Sequence, residues 1–450
     1  MKSVIIIGDG MSDRPIEQLR GKTPLMVAHK PAIDRIAREG RMGRLRTIRE
    51  TGPADSAVAN LAVLGYDPEK CSQGRAVLEA ASMGVAIEEG DVALRCNLIS
   101  IEGNPDARCI RNHSAGHISN EEAAELIHAL DERLGGGTGE QPARFYPGVS
   151  YRHLLVLSGG WASPAIVCAP PHDHVGRRVA ELLPHPTSSA GRGTDFRWAR
   201  ASARSARGEE GHTQAGGAQA GDAAAIATTR RLIDLYQQAL PILENHPVNA
   251  ARRATGKEEA NAIWTWSPGR RPQMPTLKER FGISSAVISA VDLIKGLGHY
   301  AGMEVIEVPG ATGLHDTNYE GKAEACLDAL ANHDLVYVHV EASDEASHAR
   351  DLELKIHCIE YLDNRLVRVI LEGLEARGLE ATVAILPDHP TPVATGQHGR
   401  APVPVAIRHP GEVPDSIERF DEETAVRGSL GLMEDDAFIR RVLGPSGSGS

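Results

Sequence analysis

The sequence predicts an α/β protein built on an open, mostly parallel sheet flanked by helices, with a second α+β domain inserted into it. Three observations predict this. The runs Val4-Ile5-Ile6-Ile7, Leu335-Val336-Tyr337-Val338-His339-Val340 and Thr382-Val383-Ala384-Ile385-Leu386 are short and rich in β-branched residues, as strands buried on both faces are. An acid follows each of them: Asp9, Asp344 and Asp388. Ligands bind open α/β sheets at this carboxyl edge. The runs also sit near opposite ends of the chain, so their acids meet only if both ends enter one sheet.

The elements follow in order. The first strand leads through Gly8-Asp9-Gly10 to an amphipathic stretch around 32–38. Gly52-Pro53-Ala54-Asp55-Ser56 then precedes the apolar run 58–64, a helix closed by Gly65 and Pro68, which puts Ser56 at or near its N-cap. In the middle, 92–101 reads as a strand, 121–134 as a helix opened by the capping-box-like Ser119-Asn120-Glu121-Glu122, and 153–157 as a strand. Residues 185–228 form a Ser/Ala/Gly/Arg/Thr-rich stretch of low complexity, expected to be a disordered surface insert. Helix resumes at 229–245. Strand–helix alternation returns after 286, through 305–308, a helix at 322–331, the strand 335–340, a helix at 352–377 and the strand 382–386. The tail 444–450 is Gly/Ser-rich and carries no fold content. The expected organisation is a discontinuous catalytic domain (1–90 and 280–450) and an inserted substrate-clamping cap domain (91–279).

Composition narrows the function. At 450 residues and 41% hydrophobic, the chain can bury more than one core. Its net charge is −12 and no basic run stands out, which argues against nucleic-acid binding. No apolar run is long enough for a membrane span, and the N-terminus lacks a signal peptide. Cys71, Cys96, Cys109, Cys168, Cys326 and Cys358 form no CxxC pair and read as thiols in a reducing compartment. A cytoplasmic protein is expected, and the oligomeric state is left open.

The candidate chemistry lies in Asp9, Ser56, Asp344, His348, Asp388, His389 and His398. Asp344 and His348 are four apart, so one helical turn presents both to one ion. Asp388-His389-Pro390-Thr391-Pro392 sets two ligand types directly after a strand, with prolines stiffening the turn. His398 stands in Thr395-Gly396-Gln397-His398-Gly399, where glycines allow close approach. Taken singly, each has an ordinary reading as a turn former, a solvated pair or a loop histidine; together at corresponding strand ends they read as a site for two divalent ions. A helix N-terminus favours an alkoxide or a bound phosphate at Ser56, and a metal activates the oxygen further, although capping alone would also explain a serine there.

These residues, in this order, resemble the cofactor-independent phosphoglycerate mutases of the archaeal type, in the alkaline phosphatase superfamily. The resemblance rests on Ile7-Gly8-Asp9-Gly10, the run from Val58 to Pro68, Arg95-Cys96-Asn97-Leu98, Ser114-Ala115-Gly116-His117-Ile118 and the run from Phe145 to His153. Ala290-Val291-Asp292-Leu293-Ile294-Lys295-Gly296, Pro309-Gly310-Ala311-Thr312-Gly313, Asp316-Thr317-Asn318-Tyr319-Glu320-Gly321-Lys322 and His339-Val340-Glu341-Ala342 extend it. It implies an alkaline-phosphatase-like domain and interconversion of 3-phosphoglycerate and 2-phosphoglycerate, a step of glycolysis and gluconeogenesis, without bisphosphoglycerate. Ser56 would carry the phosphoserine intermediate. Asp9, Ser56, Asp388 and His389 would hold one Mn, Zn or Mg ion, and Asp344, His348 and His398 the other. Arg95, His113 and Arg152 would clamp the glycerate, and Lys295 would stabilise charge on the phosphate. The sequence departs from the family pattern at Asp55-Ser56-Ala57, where the family has Gly-Ser-Asp, in its 185–228 insert, and at His113. The competing reading is a metal-dependent phosphatase or phosphodiesterase on the same fold; a non-catalytic binding protein is a third, opposed by the intact ligand set.

Overall fold

The computed structural model describes residues 2–51, 53–71, 74–136, 139–187 and 220–444. The chain divides into two compact units, Met1–Ser72 with Pro272–Ser450, and Gln73–Arg271. In chain order the described strands are β1 (Lys2–Gly8), β2 (Arg41–Leu45), β3 (Val92–Glu102), β4 (Cys109–Asn112), β5 (Ala143–Tyr146), β6 (Arg152–Leu157), β7 (Ile166–Val167), β8 (His185–Pro186), β9 (Ala262–Gly269), β10 (Ser285–Ile288), β11 (Glu304–Val305), β12 (Leu335–Val340), β13 (Ala381–Leu386), β14 (Val403–Arg408) and β15 (Gly431–Met433).

The first unit is built on an eight-stranded sheet in the order β11-β10-β12-β1-β13-β14-β2-β15. β11, β10, β12, β1 and β13 run parallel; β14 is antiparallel to both β13 and β2. β1 lies centrally, with Ile7 level with His339 of β12 and Leu386 of β13. Every residue of β12 and β13 is buried, which is why both runs are largely apolar on both faces. Val4, Ile6, Val336, Val338, Val383 and Ile385 feed one core cluster on one face, where Ile33, Ile36, Leu366 and Ile370 of the covering helices pack. The register places Ile5, Ile7, Tyr337 and His339 on the other face.

The second unit has an antiparallel sheet in the order β4-β3-β6-β5, with β9 also paired to β3. Helices Asn120–Leu134 and Ala220–Glu244 supply Leu126, Ile127, Leu130, Leu232, Leu235 and Leu243 to its core. Ser119 caps the first of these helices by accepting the Glu122 N–H at 3.3 Å.

Several boundaries move from those expected. Residues 74–90 fall in the second unit because the Arg75–Ser82 helix buries Ala76, Val77 and Ala80 and packs on β3 and β9. Residues 272–279 fall in the first. The expected insert at 185–228 is ordered at both flanks: β8 pairs with β7, and helix begins at Ala220. Residues 188–219, like 445–450 of the tail, lie outside the described residues. The helix at 352–377 is broken into Leu352–Tyr361 and Arg368–Ala376 by a wider π turn, Leu362–Val367.

Candidate metal centre and serine

The carboxyl ends of β12, β1 and β13 gather the predicted ligands of the first unit. Asp9 follows β1, is 1% exposed, and its N–H donates to the Val340 carbonyl at 2.9 Å. Asp344 and His348 sit on the Ala342–His348 helix directly after β12, and Asp388 and His389 directly follow β13. Gly10 is required here: its φ is +61°, and a Cβ would collide with the Asp344 carboxylate.

Two clusters result. Asp9, Asp388 and His389 offer ligand atoms to one point, and Asp344, His389 and His398 to another. His389 belongs to both, with Nε2 at 3.5 Å from Asp9 Oδ1 and 3.4 Å from Asp388 Oδ2. His348 joins the second cluster through Nε2, 3.0 Å from both Asp344 Oδ2 and His398 Nε2.

The imidazole partners show what this arrangement suits. His348 Nδ1 donates to the Gly396 carbonyl at 2.8 Å, so the neutral ring presents a bare Nε2 to the cluster. Thr391 donates its hydroxyl hydrogen to Asp344 Oδ1 at 2.5 Å and receives His389 Nδ1–H at 3.1 Å, which leaves His389 Nε2 bare as well. With the rings neutral, lone pairs of nitrogen and carboxylate oxygen point at one another, and Asp9 Oδ1 is buried with no hydrogen-bond donor. Such repulsion is relieved by divalent cations, and the mixed nitrogen and oxygen donors fit them.

Without a cation, a proton on His348 takes its place. Burial, then Asp388 and Asp344, push the Asp9 carboxyl well above its usual range. Burial also works to raise Asp344, but hydrogen bonds from His348 and His398 hold it well below. The Asp344 hydrogen bond lifts His348 to about 9 without a cation.

Ser56 is the first residue of the Ser56–Val63 helix, with Oγ 3.1 Å from His389 Nε2. It is not the cap. Asp55 is, accepting the Ala57 N–H at 2.8 Å from an extended backbone (φ −142°) that does not call for glycine. The departure from Gly-Ser-Asp therefore leaves the serine hydroxyl free of capping duty.

The other predicted residues are placed differently. Lys295 is in neither cluster; its Nζ bonds both Glu307 oxygens at 2.8 and 2.9 Å. A second lysine, Lys322, is 1% exposed and donates to the His339 carbonyl at 3.1 Å; burial lowers it to about 8. Arg95, His113 and Arg152 belong to the second unit and gather around two aromatic rings. Arg95, level with Trp266 across β3 and β9, lies 4.3 Å over that indole and pairs with Glu79 at 3.0 Å. Arg152 is 5.6 Å over Tyr151, whose ring edge meets His113 at 5.8 Å, and His172 bridges toward Trp266 at 5.3 Å.

Sequence reading missed Asn60, Tyr337, His339, Thr391 and Lys355. His339 Nε2 lies 3.1 Å from Asp9 Oδ2, and burial lowers it to about 4. Tyr337 and His339, two apart in an otherwise apolar strand, are the signal that could have found both, since they share a face. Lys355 is fully buried and bonds Asp13 Oδ2 at 2.9 Å and the carbonyls of Ser12 and Thr391 at 3.2 and 2.8 Å.

This geometry defines a class: an α/β enzyme whose sheet edge sets a serine beside clusters suited to divalent cations. Comparison with known proteins goes further. The family model for 2,3-bisphosphoglycerate-independent phosphoglycerate mutase matches residues 37–249. A protein of that name from Methanosarcina acetivorans is 46% identical over 444 residues, 98% of this chain and 100% of its own length. Among solved structures, a Pyrococcus horikoshii protein matches with a TM-score of 0.74 at 26% identity, covering 98% of this chain and 96% of that one. The cofactor-independent phosphoglycerate mutase of Thermoplasma acidophilum matches with 0.65 at 27%, covering 98% and 99%. The chain belongs to the 2,3-bisphosphoglycerate-independent phosphoglycerate mutases and is an isomerase of that family. No described helix is long and apolar enough to cross a membrane.

Proposed function

We propose that this enzyme interconverts 3-phosphoglycerate and 2-phosphoglycerate through a phosphoserine on Ser56. The observation that carries this is the Ser56 hydroxyl, spared from capping, at 3.1 Å from the shared histidine of the two clusters. Ser56 Oγ attacks the substrate phosphorus and gives up its proton, the phosphorus bond to the glycerate 3-oxygen breaks, and that oxygen takes up a proton. Glycerate stays bound and reorients. Its 2-oxygen then attacks the phosphoserine phosphorus and loses its proton, the bond from phosphorus to Ser56 Oγ breaks, and Oγ takes a proton back. Water attacks phosphorus at no step, so no inorganic phosphate forms.

Asp9, Asp388 and His389 would hold one divalent ion beside Ser56, and Asp344, His348 and His398 a second; Mn, Zn or Mg is the proposed identity. When bound, the ions supply charge stabilisation for the phosphoryl oxygens and lower the serine pKa. The second unit's Arg95, Arg152 and His113 are proposed to bind the glycerate carboxylate and hydroxyls, where guanidinium forks suit a planar anion. Lys295 is proposed for the phosphoryl oxygens once released from Glu307. The cytoplasm is the proposed site of action.

The test couples the reaction to enolase with 3-phosphoglycerate, plus or minus Mn. Steady 2-phosphoglycerate formation that Ser56→Ala abolishes, with Mn binding retained, is expected. Release of inorganic phosphate in place of 2-phosphoglycerate would replace this reading with a phosphatase.

A further inference from the structure

Asn60 lies one helical turn beyond Ser56 and is fully buried. An asparagine is a poor choice for a helix interior, and a buried amide is costly unless its partners are met. Here they are. Nδ2 donates to the Ser56 carbonyl at 2.8 Å and to Asp388 Oδ2 at 2.9 Å. Oδ1 accepts the Tyr337 hydroxyl. Burial holds that phenol protonated, so it donates, and this fixes which way round the amide sits. One side chain thereby joins the helix that presents Ser56, strand β12 and the end of β13.

The consequence falls on Asp388. Its Oδ1 accepts N–H groups of His389 at 2.8 Å and Gly10 at 3.4 Å, and its Oδ2 accepts Asn60. A carboxylate held by donors on both oxygens cannot turn. Its remaining Oδ2 lone pair faces the point shared with Asp9 and His389.

We infer that Asn60, oriented by Tyr337, is a positioning residue: it sets the Ser56 helix against the Asp9–Asp388–His389 cluster and locks the Asp388 carboxylate for a divalent cation. This rests on the function proposed above. Partners of this kind, one shell out from a metal, typically change affinity or activity by about 10–100-fold when removed.

Asn60→Leu removes the amide's hydrogen-bonding groups while keeping a branched side chain of the same heavy-atom count; Tyr337→Phe removes only the hydroxyl that orients it. Full-length protein stripped with chelator is titrated with Mn²⁺ alone and read by electron paramagnetic resonance, and kcat and KM for 3-phosphoglycerate are measured separately. Asn60→Leu is expected to weaken Mn²⁺ binding at least about tenfold and to lower kcat similarly, with KM within about threefold. Tyr337→Phe should shift both in the same direction by less, because the amide remains but can turn. Folded Asn60→Leu protein with both quantities within threefold of the parent overturns the inference; should that variant not fold, an unshifted Tyr337→Phe does so. A parent that leaves phosphoglycerates unchanged, while Asn60→Leu still loses Mn²⁺ affinity, would remove the mutase reading and leave the positioning role standing.

Discussion

Lys355→Met isolates the worth of a buried cation that touches neither cluster. The lysine ammonium has no exposed surface and makes its bonds to Asp13 and to the carbonyls of Ser12 and Thr391. Methionine matches the stem in volume, so the cavity term is small. What remains is an Asp13 carboxylate without its cation and a Thr391 carbonyl without the lysine donor, while the Ser12 carbonyl keeps the Thr391 N–H at 3.1 Å. Breaking a buried pair from one side costs about 3–5 kcal/mol. Asp13 keeps the Arg14 and Val393 N–H groups at 2.7 and 3.0 Å, which favours the lower end, about 3 kcal/mol. Adding Asp13→Asn removes the orphaned charge and should return about 1–2 kcal/mol of that loss, a coupling a double-mutant cycle reads directly. Urea unfolding with chelator present, followed by far-UV circular dichroism, is the assay. Tryptophan emission serves as an internal control, because the tryptophans among the described residues, Trp161, Trp264 and Trp266, all lie in the second unit. A Lys355→Met loss under about 1 kcal/mol, or no recovery in the double variant, would refute the assignment of Lys355 as the brace between the 12–13 and 391–393 segments.

Three further outcomes are expected. Burial raises Asp363 to about 6 in the fold, so the protonated form is favoured there; its contribution to stability is complete below about pH 4 and is lost as pH rises through 6. Asp363→Asn keeps an acceptor for the Ile33 N–H at 2.7 Å, and should stabilise the protein above pH 7 by up to about 3 kcal/mol with no gain at pH 4; equal offsets at both pH values would discount burial as the cause. Chelation should abolish turnover and lower the melting temperature, since an ion held at a hundredfold its dissociation constant contributes about 2.7 kcal/mol, and Mn²⁺ or Zn²⁺ should restore both; full activity in protein shown metal-free by mass spectrometry would count against the centre. Arg95→Met should raise KM for 3-phosphoglycerate at least about tenfold while Mn²⁺ affinity stays put, because loss of a charged hydrogen bond to an anion is worth about 1.5–3 kcal/mol; an unchanged KM would remove Arg95 from the proposed anion site.

The gathering of these acids at one sheet edge was legible in the sequence for a specific reason. Asp9, Asp344 and Asp388 each follow a short, largely apolar run, and such runs have few structural uses besides central strands. His389 and His398 were legible through neighbouring Pro and Gly. The network behind them was not, because its members are polar residues inside apolar elements. Asn60 reads as helix filler and Lys355 as a solvated lysine until the register and packing bring Asp388 and Asp13 to them. Lys295 shows the reverse: its motif is well marked, but in this structure Glu307, twelve residues along, takes its charge. The unit boundary escaped because Gly90 looks like a break, whereas the Arg75–Ser82 helix before it is committed by its small apolar face to β3 and β9.

β1 emerges from the ribosome hundreds of residues before either neighbour, β12 or β13. Until both are synthesised, Val4-Ile5-Ile6-Ile7 has no permanent companion on either edge, and a nascent chain must keep that greasy ribbon from finding another like it. The Asp9–Asp388–His389 cluster is thereby incomplete until β13 and the residues after it have been made, and a polypeptide terminated before them lacks it.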